Sequence, residues 1–216
     1  MTLLAVTPLA VLLAIAGGAW GFAADRIGAR WPAHEDGHVR KIDWRTLVAI
    51  AFGAGALGVA AVKLDTPGPL LLFGAYFVAL VLLLATDLDQ RLLPDVITLP
   101  AIPIALVVDL LSLNPFVHPG DLPLTLIVAI VVPAILGIIS IPFGAGAIGV
   151  GDLKLLVSVG LLAGPFGLIA ATIDGALLAG VVVVVLLVAR RITLKTYIPF
   201  GPFLILGAAW TILYVR

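Results

Sequence analysis

Two short stretches place carboxylates where apolar sequence begins or ends. In Gly149-Val150-Gly151-Asp152-Leu153-Lys154 a glycine-rich turn brings a carboxylate and an ammonium to the start of an apolar run, Leu153 to Leu162. In Asp87-Leu88-Asp89-Gln90-Arg91-Leu92-Leu93-Pro94-Asp95 a cluster of acids separates two other apolar segments. Charge at such a boundary is costly unless it is used. Two carboxylates held within a few ångströms cannot both ionise comfortably, so one keeps a proton near neutral pH while the other stays charged. Together they can hydrolyse a peptide bond. The ionised member takes a proton from water, the protonated member donates to the carbonyl oxygen, and the roles reverse as the amine leaves. The expectation is that Asp87 and Asp152 meet as a proteolytic pair, titrating as a unit, so that acid and base are not assigned individually.

The neighbouring residues read as support or as structure. Gly149 and Gly151 lack a Cβ, which permits positive φ and lets backbone or substrate come close to the Asp152 carboxylate. Asp152 could instead cap a helix beginning at Leu153, and for a Gly-x-Gly-Asp pattern on its own that capping reading is favoured. Asp87 directly follows Leu82-Leu83-Leu84-Ala85-Thr86 and is placed in the helix. Asp89 and Asp95 read at least as well as residues wetting an interfacial loop with Arg91, Asp95 serving as N-cap behind Pro94. Lys154 either holds a nearby carboxylate charged or binds a carbonyl, or it is a snorkelling interfacial lysine.

The elements that must position these groups are membrane helices. With 62% hydrophobic and 11% charged residues and a mean hydropathy of +1.27, the 216-residue chain has too little polar surface for a soluble globule, since soluble domains run nearer one quarter charged. The fold class expected is all-α, a polytopic integral membrane helix bundle forming a single membrane-embedded domain over residues 1–216. At roughly 20 apolar residues per span, eight helices are expected: Leu3 to Ala24, Leu47 to Val62, Leu70 to Thr86, Val96 to Leu113, Leu122 to Ile141, a short sixth from Leu153 to Ala163, Phe166 to Ala189 and Phe203 to Val215. Pro or Gly marks most breaks, as in Pro67-Gly68-Pro69, Gly164-Pro165 and Pro199-Phe200-Gly201-Pro202. The N-terminal run is expected to be a retained first span rather than a signal peptide. The formal net charge is zero and no basic face interleaved with aromatics appears, so no nucleic-acid partner is expected. There are no cysteines, which removes disulfides, thiol nucleophiles and cysteine-ligated zinc.

Lysine and arginine concentrate in cytoplasmic loops. Alternate loops carry Arg26, Arg30, Arg40, Lys41 and Arg45, then Arg91, then Lys154, then Arg190, Arg191 and Lys195, ten of the twelve basic residues; only Lys63 and Arg216 fall on the other side. The N-terminus is therefore expected outside and both acidic motifs inside, with Asp87 at the cytoplasmic end of the third helix and Asp152 at the cytoplasmic start of the sixth. Span count and charge count, made separately, allow the two to meet.

Two other constellations compete. His34-Glu35-Asp36-Gly37-His38 matches His-Glu-x-x-His, which on a helix would put two zinc ligands on one face with Glu35 as base. Gly37 inside the pattern and Pro32 upstream make the stretch loop-like, His118 is expected across the membrane, and a zinc protease built on His34, Glu35 and His38 is disfavoured. Asp109 and Asp174 are intramembrane carboxylates, which can mark a proton or ion path in a transporter. No repeat symmetry accompanies them, and the preferred reading is that each bonds a neighbouring helix or reaches interfacial water.

Read as Thr-Asp-x-Asp-x-x-Leu-Leu-Pro-Asp with Thr98-Leu99-Pro100 following, the stretch around Asp87 to Asp95 resembles the first aspartate motif of the type IV prepilin peptidases. Gly149-Val150-Gly151-Asp152-x-Lys154-Leu155-Leu156, with Gly160 and Gly164, resembles their second, and Ile198-Pro199-Phe200-Gly201-Pro202-Phe203-Leu204 a third signature before the last helix. Three motifs in the right order between Leu70 and Arg216 are far more specific than any one. The resemblance implies that Asp87 and Asp152 are the catalytic pair of an aspartic endopeptidase, with Gly149, Gly151, Lys154, Arg91, Pro94, Asp95, Pro199, Gly201 and Pro202 around them, and no cofactor or metal. It also implies a prepilin or pseudopilin precursor as substrate, cut after a glycine preceding its hydrophobic helix, at the cytoplasmic face of a prokaryotic plasma (inner) membrane, in type IV pilus assembly or protein secretion. The chain departs from bifunctional members, which carry a domain with two Cys-x-x-Cys pairs between helices one and two and also N-methylate the product. Here that region is a short cytoplasmic loop, residues 25–45, without cysteine, so neither zinc nor methyl transfer is expected there; Arg26, Arg30 and Asp43-Trp44-Arg45 are expected to cover the site or to touch lipid headgroups.

Overall fold

The computed structural model describes residues 7–32, 39–143, 148–193 and 198–215. His34, Glu35 and His38, and the basic Lys195 and Arg216, lie outside the described residues. Among those described there are seven α-helices and no strand: α1 (Pro8–Gly28), α2 (Trp44–Lys63), α3 (Pro67–Gln90), α4 (Asp95–Leu110), α5 (Leu122–Ser140), α6 (Val150–Val188) and α7 (Gly201–Trp210), the last continuing as a π turn, Thr211–Val215.

Local signals set the ends. Pro8 opens α1 behind Thr7, whose hydroxyl accepts from the Ala10 N–H at 3.2 Å. Asp43 caps α2, accepting from the Arg45 N–H at 2.8 Å while the Thr46 hydroxyl accepts from the Asp43 N–H at 3.3 Å. Arg91 stops α3 in a left-handed conformation, φ 55° and ψ 40°, with its N–H on the Asp87 carbonyl at 2.9 Å.

Five elements are long and apolar enough to cross a membrane: α1, α2, α3, α5 with the 3-10 turn before it, and α6. The 16-residue α4 and the segment Gly201–Val215 are shorter. The expected eight spans are therefore not reached by length and composition, and the chain reads as an all-helical membrane protein with five such helices among its described residues. Asp87 lies in α3 as expected, but two helix ends differ: α3 runs on to include Asp89 and Gln90, and α6 begins at Val150 rather than Leu153.

The chain divides into two compact units, residues 1–97 with 113–115, and residues 98–112 with 116–216. In the first, α1 and α2 approach so closely that a Cβ on Gly17 would sit 2.1 Å from the Gly53 carbonyl oxygen, and one on Gly21 would sit 2.2 Å from that of Ala49. Small residues four apart let helix backbones pack in an apolar medium that supplies no hydrophobic drive of its own. Against this pair α3 buries Phe73, Phe77, Leu80 and Leu84 within the unit's core, and Ala24, Val81 and Ala85 pack with Trp20 and Phe52. The Trp20 indole N–H donates to the Val78 carbonyl at 2.9 Å, satisfying its one polar atom.

In the second unit α6 breaks at Gly164, whose φ of 72° and ψ of 178° suit glycine alone, immediately before Pro165. Ile148, just before α6, lines one cavity with Ala179 and Val183. At about 1.5 Å rise per residue a straight helix would hold those positions tens of ångströms apart, so residues 150–163 and 165–188 form two arms folded back on each other. The break expected at Gly164-Pro165 is present. Gly160 faces Ala129 of α5, and on the other arm Gly175 and Gly207 bring α7 against α6, a Cβ on Gly207 lying 2.4 Å from the Ala171 carbonyl oxygen.

Candidate active site

The last turn of α3 carries Asp87, buried at 4% exposure. Two residues on, Asp89 is helical and does not wet a loop, one of the two roles open to it. Its side chain is 3% exposed, and its Oδ1 accepts from Arg40 Nε at 2.6 Å and Arg45 Nη1 at 2.9 Å. The adjacent Gln90 amide donates to the carbonyls of Gly28 at 3.2 Å and Pro32 at 2.7 Å. Arg91 is exposed at the left-handed stop, Leu93 and Pro94 are buried, and Asp95 is exposed as the first residue of α4, one position inside the helix rather than its N-cap.

Arg40 is the centre of a wider network. It also pairs with Asp25, at the end of α1, and with Asp43 at 2.6 Å. Asp25 is buried and accepts from Arg26 Nε at 2.9 Å and from the Thr46 hydroxyl at 2.7 Å. Burial alone would lower the Arg40 guanidinium, but the carboxylates of Asp25 and Asp89 outweigh it and hold its pKa above the usual arginine value. Of the loop residues singled out earlier, Arg26, Asp43 and Arg45 are thus engaged within the unit. These bonds bring the C-terminal ends of α1 and α3 and the N-terminal end of α2 together at one end of it.

In the second unit Asp152 is the third residue of α6, buried at 7% exposure, and its Oδ2 accepts from the Gly149 N–H at 3.2 Å. It does satisfy a free N–H at the helix start, but from inside the first turn rather than as the N-cap of a helix from Leu153. Gly149 has φ −67° and ψ 144°, so no positive φ is used there. What its missing side chain leaves open is space, since a Cβ would lie 3.3 Å from Asp152 Oδ2. Gly151 lies within the helix, and Lys154 is half-buried one residue beyond Leu153.

The third motif adjoins the second within this unit. Ile148 and Ile198, Pro199, Phe200 and Phe203 line one cavity of about 270 Å³ with Ala179 and Val183. Gly201 and Pro202 are buried in the first turn of α7. Asp109 is buried in the last turn of α4, whereas Asp174 is half-buried and accepts from the Thr211 hydroxyl at 3.3 Å. That bond is the neighbouring-helix contact preferred for Asp174.

A family model described as the type IV leader peptidase family matches residues 74–188, a span that contains Asp87 and Asp152 and the segments around both. The chain belongs to the type IV leader peptidase family. It is 31% identical over 192 residues to proteins described as prepilin leader peptidase/N-methyltransferase in Burkholderia pseudomallei strains 1026b and K96243. That alignment covers 87% of this chain but 56% of each relative, so the chain spans little more than half the length of these curated relatives. No solved structure matches it. The family match stops before the third motif, whose place beside Ile148 comes from the packing of α7 on α6.

Proposed function

We propose that this chain is a membrane aspartic endopeptidase that removes the leader from prepilin-like precursors, with Asp87 and Asp152 as its catalytic pair in a single membrane-embedded peptidase domain. The observation that carries the proposal is the family match over residues 74–188, which takes in a buried aspartate in the last turn of α3 and another in the first turn of α6. Membership speaks for the leader-peptidase reaction. The burial of both carboxylates at helix ends suits a pair that shares a proton.

In the proposed cycle the ionised carboxylate draws a proton from water, the other protonates the scissile carbonyl oxygen, and collapse of the tetrahedral species returns the proton to the departing amine. The Gly149 N–H on Asp152 Oδ2 orients that carboxyl and leaves Oδ1 for the reaction. The missing Cβ at Gly149 gives an extended substrate segment room to approach. The hydrophobic helix of the precursor would lie against the bundle, with its basic leader on the cytoplasmic side, the side proposed for both motifs on the bias of lysine and arginine among the loops. Pro199, Gly201 and Pro202 would fix the start of α7 beside the turn before Asp152. Lys154, Arg91, Pro94 and Asp95 would frame the two acidic segments. The reading includes no methyl transfer, and a methyl group on the mature product made by the purified chain would add that activity.

The test is cleavage of a prepilin-type peptide by the purified chain in detergent, followed across pH with and without a chelator. Activity should rise as the pair loses its first proton and fall as it loses its second, giving a bell-shaped profile that chelation leaves unchanged. Cleavage abolished by the chelator and restored by zinc would replace this reading with the metal one built on His34, Glu35 and His38.

A further inference from the structure

Two consecutive residues at the end of α3, Asp89 and Gln90, are tied to parts of the chain far away in sequence. Asp89 takes two guanidinium groups, from Arg40 and Arg45, and Gln90 holds the carbonyls of Gly28 and Pro32. The turn they belong to is the one that begins with Asp87, whose carbonyl accepts the last helical bond from the Arg91 N–H. Helix ends fray when their final turn has no partners. Here that turn is clamped on two successive side chains.

The clamp closes through Arg40. Its guanidinium reaches Asp25 on α1, Asp43 at the start of α2 and Asp89 on α3, so one side chain joins all three helices. With Arg26 on Asp25 and Arg45 on Asp89, three arginines balance three aspartates in a largely buried, charge-neutral set. The planar fork meets the three carboxylates from three separate nitrogens, Nη2 on Asp25, Nη1 on Asp43 and Nε on Asp89; a lysine ammonium has three donors on one atom and cannot reproduce that spread.

We infer that Arg40 is a positioning residue for Asp87: acting through Asp89, it holds the last turn of α3 in the helical conformation that aims the Asp87 carboxyl. The inference rests on the peptidase reading of Asp87. It predicts a specific failure, in which substrate still binds but the carboxyl is misplaced, and a misplacement of about 1 Å can cost on the order of 10²-fold in rate.

The experiment uses the full chain in two assays. In the first, Arg40→Ala and Arg40→Lys are compared with wild type and Asp87→Asn for cleavage of a prepilin-type peptide. Both Arg40 variants should lose about 10- to 100-fold in kcat with KM little changed, because the lost term belongs to the transition state. In the second, Asp87→Cys, the only thiol in an otherwise cysteine-free chain, is labelled with a water-soluble maleimide, alone and with Arg40→Ala. Labelling should be several-fold faster with Arg40→Ala, as the turn opens, while helix content by circular dichroism stays the same. If Asp87→Asn is inactive but Arg40→Ala retains wild-type kcat, the positioning role is overturned and the peptidase reading stands. If Asp87→Asn still cleaves, the peptidase reading fails, and the labelling rate alone then decides whether Arg40 holds the turn. Unchanged labelling overturns the clamp in either case.

Discussion

Asp87→Asn and Asp152→Asn are each expected to abolish leader removal while leaving the protein folded. Asparagine keeps the shape and the packing of a buried aspartate but can neither take nor give the catalytic proton. General acid–base catalysis by a positioned group is worth on the order of 10²–10⁴-fold, and each substitution should lose at least that. Two carboxyls acting as the proposed unit predict a double variant no slower than the worse single variant, the non-additivity seen when residues share a step. Initial rates on a prepilin-type peptide, with circular dichroism to confirm folding, provide the check. Independent losses that multiply in the double variant would mean that the two aspartates act in separate steps.

The largest expected loss of stability lies far from either carboxylate. Gly21→Val would place a Cβ 2.2 Å from the Ala49 carbonyl oxygen and 2.7 Å from the Ile50 Cα, and these are backbone atoms that cannot turn aside. Helices α1 and α2 would have to separate along their whole contact. Overpacking costs typically 1–3 kcal/mol and more when backbone must shift; here the outcome expected is several kcal/mol, read as a lower melting midpoint in detergent. The same change at Gly55, on the partner helix α2 and with nothing within 4 Å of its Cβ position, controls for valine in an apolar helix and should leave the midpoint nearly unchanged. Equal shifts for Gly21→Val and Gly55→Val would show that the close approach at Gly21 contributes nothing.

Much of this architecture is legible in the chain. The apolar runs overlap each of the seven α-helices among the described residues, though not their number, because a helix in lipid must satisfy its own backbone and reads as unbroken hydrophobicity. Gly164-Pro165 announces the reversal of α6, since the φ of 72° with ψ of 178° found there suits glycine alone. Both aspartates of the proposed pair were visible as charges at apolar boundaries. What hydropathy misses is the polar last turn. Asp89 and Gln90, in the last turn of α3, bond to residues that no local pattern reveals, Arg40 lying 49 residues from Asp89 and 15 from Asp25. For the same reason a loop-wetting role for Asp89 reads as well from sequence as a chemical one, although its side chain is 3% exposed. Asp25 could have been flagged as an acid directly after an apolar run, but the identity of its partners depended on tertiary structure. The Gly17-x-x-x-Gly21 spacing was a readable packing signal, whereas its partner at Gly53 was not.

The proposed reaction requires Asp87, in one compact unit, and Asp152, in the other, to act on one peptide bond. The most direct measurement is cross-linking of Asp87→Cys with Asp152→Cys by a short bifunctional thiol reagent in membranes, which is clean because the chain has no cysteine of its own. Ala24→Cys with Ala85→Cys, two positions packed in one cluster, serves as the positive control. The expected result is an intramolecular link at the aspartate positions as efficient as in the control, and one that protects the pair from later labelling. A control pair that links while the aspartate pair does not, in the presence and absence of a prepilin-type peptide, would contradict the proposed dyad.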